Sequence, residues 1–195
     1  MDSFYQAIFE REIYQQCNFA LMSLEDFSKN YQENNTDRFW YSIQSFLVSC
    51  ANISKLLWID LRVKPLKNES KEDYEKREKQ LYETKCRREA LRKTLSVYDD
   101  SPLKSRSMRN NFEHFDKEIE KWLEASKSHN FLDNIIMNES GIIGANEGDF
   151  MRVFNTTKNA ITFRGQVYEL EPIIKEIKRL YLIAKKVSET PRWER

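Results

Sequence analysis

Glycine and proline are scarce in this chain, with four of each in 195 residues. So few turn-formers exclude a fold of many short strands and point to long helices joined by few breaks. Histidine is scarcer still: His114 and His129 are the only two. The three cysteines, Cys17, Cys50 and Cys86, are widely spaced and odd in number. That excludes a disulfide framework and a cysteine-built metal site, and leads us to expect reduced, mostly buried thiols in a cytoplasmic protein. Charge of one sign is also missing. Lys and Arg number 32 against 31 Asp and Glu, a net of +1, so any affinity for nucleic acid must come from a local patch. Long apolar runs are absent too. The least charged window, Trp40 to Ser54, is about fifteen residues and is dotted with Ser, Gln and Asn, whereas a membrane span needs about 20 apolar residues. The N-terminal residues Asp2, Glu10, Arg11 and Glu12 do not follow the basic-then-apolar order of a secretory leader. No Gly-rich phosphate loop, Gly-x-Ser-x-Gly elbow or Cys-x-x-Cys pair occurs, which removes most familiar enzyme classes and leaves chemistry that needs only Arg and His. No cofactor, no metal and no membrane contact are expected.

What is present is helical periodicity. Phe9, Ile13, Cys17, Ala20, Leu24, Phe27 and Tyr31 form one stripe and predict a first helix over about 3–30. Thr36 is a candidate N-cap for a second helix, which is apolar almost all round from Phe39 to Trp58 and suits the centre of a bundle. Lys64-Pro65 is expected to close it. Ser70-x-x-Asp73 resembles a capping box opening a charged third helix over about 71–96. Asp99-Asp100-Ser101-Pro102 reads as the start of a fourth, running to about Ser126 with Met108, Phe112, Phe115, Ile119 and Trp122 facing inward. The periodicity then changes. Asn138 to Gly141 and Gly144 to Gly148 read as loop. Met151–Asn155, Ala160–Phe163 and Gln166–Leu170 read as short strands, with Arg164-Gly165 as a tight hairpin turn. A closing helix from Glu171-Pro172 to about Ser188 carries Ile173, Ile174, Ile177, Leu180, Tyr181 and Ala184, and the tail from Thr190 is expected to fray. The fold expected is mainly α: an antiparallel helical bundle over 1–126, with 127–195 adding a small β-hairpin or sheet and a closing helix on the same core.

Within the fourth helical stretch lies Arg109-Asn110-Asn111-Phe112-Glu113-His114. At about 100° per residue, Asn110 and His114 fall opposite the apolar stripe. His114 is then a proton carrier titrating near neutral pH, Arg109 a bidentate phosphate clamp and Asn110 a residue that orients the ring or binds substrate. Those are the groups that metal-free RNA cleavage needs: proton transfer at the 2′-hydroxyl and at the leaving oxygen, and a cation where charge builds on phosphate. The competing reading makes Arg109–Glu113 an i,i+4 surface ion pair. Glu113, Asp116 and Glu118 also put negative charge beside the histidine, which opposes RNA. Positions five apart point about 140° apart, so Arg109 and His114 converge most readily when two copies of the helix pack across a two-fold axis.

Arg-Asn followed by this histidine, inside a later helix of a bundle, resembles the Arg-x4-6-His signature of the HEPN superfamily, and Met108 to Asp116 looks like a poorly characterised bacterial branch of it. The resemblance covers residues 1 to about 126; the hairpin and last helix are not part of the general pattern. It implies an all-α, homodimeric, RNA-acting domain, often a metal-independent endoribonuclease in toxin–antitoxin or defence systems, with a composite site from both chains. Lys85, Arg87, Arg88, Arg92, Lys93, Lys104 and Arg106 make the stretch before the run basic. It is either a solvated face or a phosphate-tracking patch, in which Arg88, Arg92, Lys93, Lys104 and Arg106 are the RNA-binding candidates. The alternative from another class is a non-catalytic dimeric interaction module, or a regulatory partner of a nucleotidyltransferase. His129, in a polar loop, has no assigned role.

Overall fold

The computed structural model describes residues 3–59, 62–105, 115–138 and 142–190. Helix accounts for most of them, with a small four-stranded mixed sheet and a C-terminal helix. The expectations for Glu139–Gly141, and for the tail beyond Thr190, lie outside the described residues.

Helix α1 (Ser3–Gln32) and helix α2 (Thr36–Leu57) form a hairpin. Asn34 adopts φ 53° in the turn, a left-handed conformation that asparagine tolerates better than most side chains. The cap of α2 is Asn35, one residue before the threonine expected: its side chain accepts from Arg38 N at 3.2 Å. Packing along the hairpin is set by Phe27 on Phe39, with ring centroids 4.8 Å apart, and by Asn52 Nδ2 donating to Gln16 Oε1 at 3.2 Å. α2 ends at Leu57, with Trp58 extended, well before Lys64-Pro65. The early stop has tertiary partners. Arg92 donates from Nη1 to the Leu57 carbonyl at 2.9 Å, and the Trp58 indole donates to Asp99 Oδ1 at 3.1 Å.

Helix α3 (Lys71–Thr94) starts at Ser70, whose hydroxyl accepts from Asp73 N at 3.1 Å. Aspartate does not complete the capping box. Its shorter carboxylate instead accepts from the Ser70 hydroxyl itself at 2.7 Å. Leu91 is the only residue of α3 that is fully buried. The strong helix start at Ser101-Pro102 opens only a single 3-10 turn, Pro102–Lys104, which Ser105 ends at φ −56°, ψ 122°. The continuous helix expected from Pro102 is therefore interrupted at Ser105, and helix α4 begins, among the described residues, at Phe115 and runs to Ala125. Leu103 is fully buried and Ser101 Oγ donates to Glu176 Oε1 at 3.0 Å. Tertiary anchoring thus holds this turn in place of helical continuation.

Strands β1 (Ile135–Met137), β2 (Arg152–Asn155), β3 (Ala160–Phe163) and β4 (Gln166–Glu169) lie in that order in the sheet. β2, β3 and β4 are the three expected strands, pairing antiparallel. β1 was not expected; it pairs parallel with β2, Ile135 opposite Val153. The supposed loop before β2 holds a second 3-10 turn, Glu147–Asp149. At the β3–β4 corner both Arg164 (φ 45°) and Gly165 (φ 78°) are left-handed, as a two-residue hairpin turn matched to strand twist requires. Helix α5 (Leu170–Glu189) closes the chain, with Pro172 in its first turn.

One apolar cluster joins Ile13 and Cys17 of α1, Phe39, Phe46 and Leu47 of α2, Phe154 and Ile161 of the sheet, and Ile177 and Leu180 of α5. The sheet docks through Phe154, whose ring lies 5.4 Å from Phe27 and 5.2 Å from Phe39. α5 meets α1 at Tyr14–Tyr181, 5.3 Å between centroids. Among the described residues, no helix is long and apolar enough to cross a membrane.

Candidate functional site

Arg109, Asn110 and His114, with Arg106, lie outside the described residues. Their two flanks are described, and both are firmly held. On the N-terminal side, the 3-10 turn is pinned to α5 through Ser101 and Glu176, and Lys104 Nζ pairs with Asp99 at 3.1 Å. On the C-terminal side, α4 is clamped to the sheet by two arginines that sequence reasoning passed over. Arg152 of β2 places its guanidinium 5.2 Å from the ring of Phe115, the residue after His114, while a bidentate pair with Asp133 fixes it. Arg164 of the hairpin turn donates to the Glu118 carbonyl at 2.8 Å and reaches its carboxylate at 3.7 Å. Glu118 also pairs with Lys121. Of the acids near His114 in sequence, Glu118 is thus answered by two cations, whereas Asp116 is exposed.

The opposite end of α4 rests on a buried carboxylate. Asp149 is fully buried. Its Oδ1 accepts from Ser126 Oγ at 2.6 Å and Ser128 Oγ at 2.7 Å, and its Oδ2 accepts from Asn146 N at 2.8 Å. Its backbone carbonyl accepts from the Trp122 indole at 3.0 Å and from Leu132 N at 2.9 Å. The Asn146 amide first, then the two serine hydroxyls, hold its carboxyl down at about 2, because each donor favours the charged form. Every oxygen has a partner, so Asp149 is a structural clasp joining α4, the following loop and the approach to β2. The pattern Asn146-x-x-Asp149 was the signal available for it, a capping-box spacing inside a segment read as loop.

The described basic candidates, Arg88, Arg92, Lys93 and Lys104, are each engaged within the protein. Arg88 is half-buried, its guanidinium 3.8 Å over the Phe9 ring. Its Nε and Nη1 have no hydrogen-bond partner, and burial pushes its pKa down. Arg92 is taken up by the Leu57 carbonyl and lies 5.8 Å over Trp58. Lys93 pairs with Glu89 at 3.5 Å on the exposed face of α3. Arg92 and Lys104 do share one neighbour: Asp99, whose carboxyl is held below the usual range by the Trp58 indole N–H, then by Lys104, with a smaller pull from Arg92. Arg88 and Arg92 thus fasten α3 to α1 and α2.

Cys17 and Cys50 are buried thiols; burial pushes the first up to about 12 and the second well above its ordinary value, so neither is a nucleophile at neutral pH. Cys86 is exposed. His129 sits in a turn at φ 53°, its ring 6.1 Å from Phe131. Among the described residues, no group of three or more His, Cys, Asp or Glu side chains is gathered as a metal site. In comparisons with protein-family models, curated proteins and solved structures, the chain finds no match.

Proposed function

We propose that this chain is an RNA-acting protein of the HEPN kind, a metal-independent endoribonuclease with the helices in an antiparallel bundle, working in the cytoplasm in defence or stress. The observation that carries the reading is the run Arg109-Asn110-Asn111-Phe112-Glu113-His114 leading directly into α4 of a mostly helical protein. In this reading His114 moves the proton, taking it from the 2′-hydroxyl as that oxygen attacks phosphorus and returning it to the departing 5′-oxygen. Arg109 grips the non-bridging oxygens as charge builds, and Asn110 orients the imidazole. Two copies of the chain form the composite site. The pairing of Glu118 with Arg164 and Lys121 supports the reading, since it offsets a negative charge that lies four residues after His114 in the sequence.

Cleavage of total RNA and tRNA in EDTA, by wild type and His114→Ala side by side, is the test. Cleavage by the wild type alone is expected. Equal cleavage by both, or none by a folded dimeric wild type, overturns the nuclease. The use of Arg88 and Arg92 in packing favours one second reading, a non-catalytic dimeric module or a regulatory partner of a nucleotidyltransferase. RNA bound without being cut, or neither bound nor cut, is its signature.

A further inference from the structure

The charge balance of this chain is unevenly distributed. Residues 62–94 hold twelve Lys and Arg against seven Asp and Glu, in a chain whose net charge is +1, so the remainder is net acidic. This basic segment is built as an arm. Among the described residues, the polar and ring contacts of α3 with the helical hairpin and Trp58 gather near its C-terminal end: Arg87 over Tyr5, Arg88 over Phe9, Arg92 at Leu57 and Trp58, Thr94 at Gln6. Its first four turns, Lys71 to Lys85, extend about 22 Å at 1.5 Å per residue. Along them runs the segment that precedes α3, tied by Arg77, which donates to the Lys64 carbonyl at 3.0 Å and pairs with Glu69 at 2.6 Å. Glu69 is held below the usual carboxylate range, first by this arginine.

Between that segment and α3 lies an open depression of about 610 Å³, lined by Arg62, Val63, Glu75, Glu78, Lys79, Leu81, Tyr82 and Lys85. Its size falls within the range of small-ligand sites. Lys79, Tyr82 and Lys85 stand three residues apart on one helix face, and Tyr82 is 69% exposed. An exposed aromatic between two cations is the alternation that a single nucleic-acid strand meets in binding grooves, base on ring and phosphate on ammonium. Availability sets these cations apart from their neighbours. Lys71, Arg77 and Arg87 are paired with Glu75, Glu69 and Glu83. Among the described residues, the exposed side chains of Arg62, Lys64, Lys67, Lys76, Lys79 and Lys85 have no such partner. The two acids lining the depression do not reverse its sign: Lys71 answers Glu75, and Glu78 is outnumbered by Arg62, Lys79 and Lys85.

We propose that this arm, through Arg62, Lys79, Tyr82 and Lys85, is a docking surface for single-stranded RNA, separate from the Arg109–His114 run. As the substrate-holding part of an RNA-acting protein it rests on the function proposed above, but its binding can be read without any cleavage. The experiment is fluorescence anisotropy of a short labelled single-stranded RNA of mixed sequence with the full chain carrying His114→Ala, repeated over a salt series. The same background then receives Lys79→Ala/Lys85→Ala, Tyr82→Ala or, as a control on α5, Lys178→Ala/Lys186→Ala. The double lysine variant is expected to weaken binding roughly tenfold and to shallow the salt slope by about 1.4, at roughly 0.7 per phosphate neutralised. Loss of the ring is expected to cost roughly fivefold or more, and the control is expected to bind as the background does.

Equal binding by the arm variants, equal weakening by the control, or no binding by the folded background overturns the proposal. So does arm-dependent binding of polyglutamate in place of RNA, which assigns the surface to an acidic polypeptide. Repeating the cleavage assay with the arm variants in a His114-intact chain separates the two ideas. Arm-dependent binding without wild-type cleavage supports the arm and removes the nuclease. Cleavage at wild-type efficiency by the arm variants removes the arm and keeps the nuclease.

Discussion

Asp149 shows what a single side chain does in this protein that its neighbours in sequence do not reveal. The three donors to its carboxylate, two serine hydroxyls and a backbone amide, come from Ser126, Ser128 and Asn146, two segments separated by β1, so no local spacing brings the whole set together. Its carboxyl titrates at about 2 in the folded chain against about 3.9 in an unfolded one. A depressed folded value means that the contribution to stability is complete above the unfolded pKa and is lost as pH falls from about 4 through about 2. Asp149→Asn turns an amide N–H₂ toward donors that need an acceptor. The variant is expected to melt well below the wild type at pH 7, with the gap closing as pH falls toward 2. Thermal melts across that range check it, and a gap independent of pH would contradict it. The run at 109–114 is the opposite case. Arg109, Asn110 and His114 are legible by their spacing because they occupy one short stretch, whereas the clasp and the clamping arginines Arg152 and Arg164 act across the fold.

Local rules decide most elements, and they fail where a tertiary contact outbids them. Ser70 caps α3 as expected, and Ser70→Ala is expected to cost about 1 kcal/mol, measurable by urea unfolding. Gly165 is held at φ 78°, and a Cβ there would stand 2.9 Å from Glu147 Oε1. Gly165→Ala is therefore expected to destabilise by about 1–2 kcal/mol, with the same readout; no change would mean that the hairpin turn relaxes. The two missed boundaries share a cause. α2 stops at Leu57 because Arg92 takes its last carbonyl, and the turn at Pro102 ends at Ser105 where Leu103 and Ser101 are anchored. β1 was missed because three residues, Ile135 to Met137, are too few to show a period, and their partner β2 lies beyond another turn.

At the scale of the whole molecule, helices from both ends of the chain and the sheet share one apolar cluster. Ile177 of α5 is fully buried within it, so Ile177→Ala is expected to cost about 2–5 kcal/mol in a single transition by both fluorescence and circular dichroism. Two separate transitions would mean that the C-terminal part has a core of its own. The proposed composite site demands a homodimer, and sedimentation equilibrium is expected to return twice 23.5 kDa; a monomer at working concentration would rule out a site shared between chains.

The helical character of the chain, the stripes that face its core, the three antiparallel strands and the Arg–His run all follow from the sequence alone, because each is written at a spacing of two, three or four residues. Only the tertiary structure decides that β1 joins the sheet in parallel, that Asp149 is buried and charged, and that Arg88 and Arg92 are taken up in packing. It also sets the basic arm apart from the body. These depend on which distant groups come within 3 or 4 Å of one another, a relation that no local periodicity records.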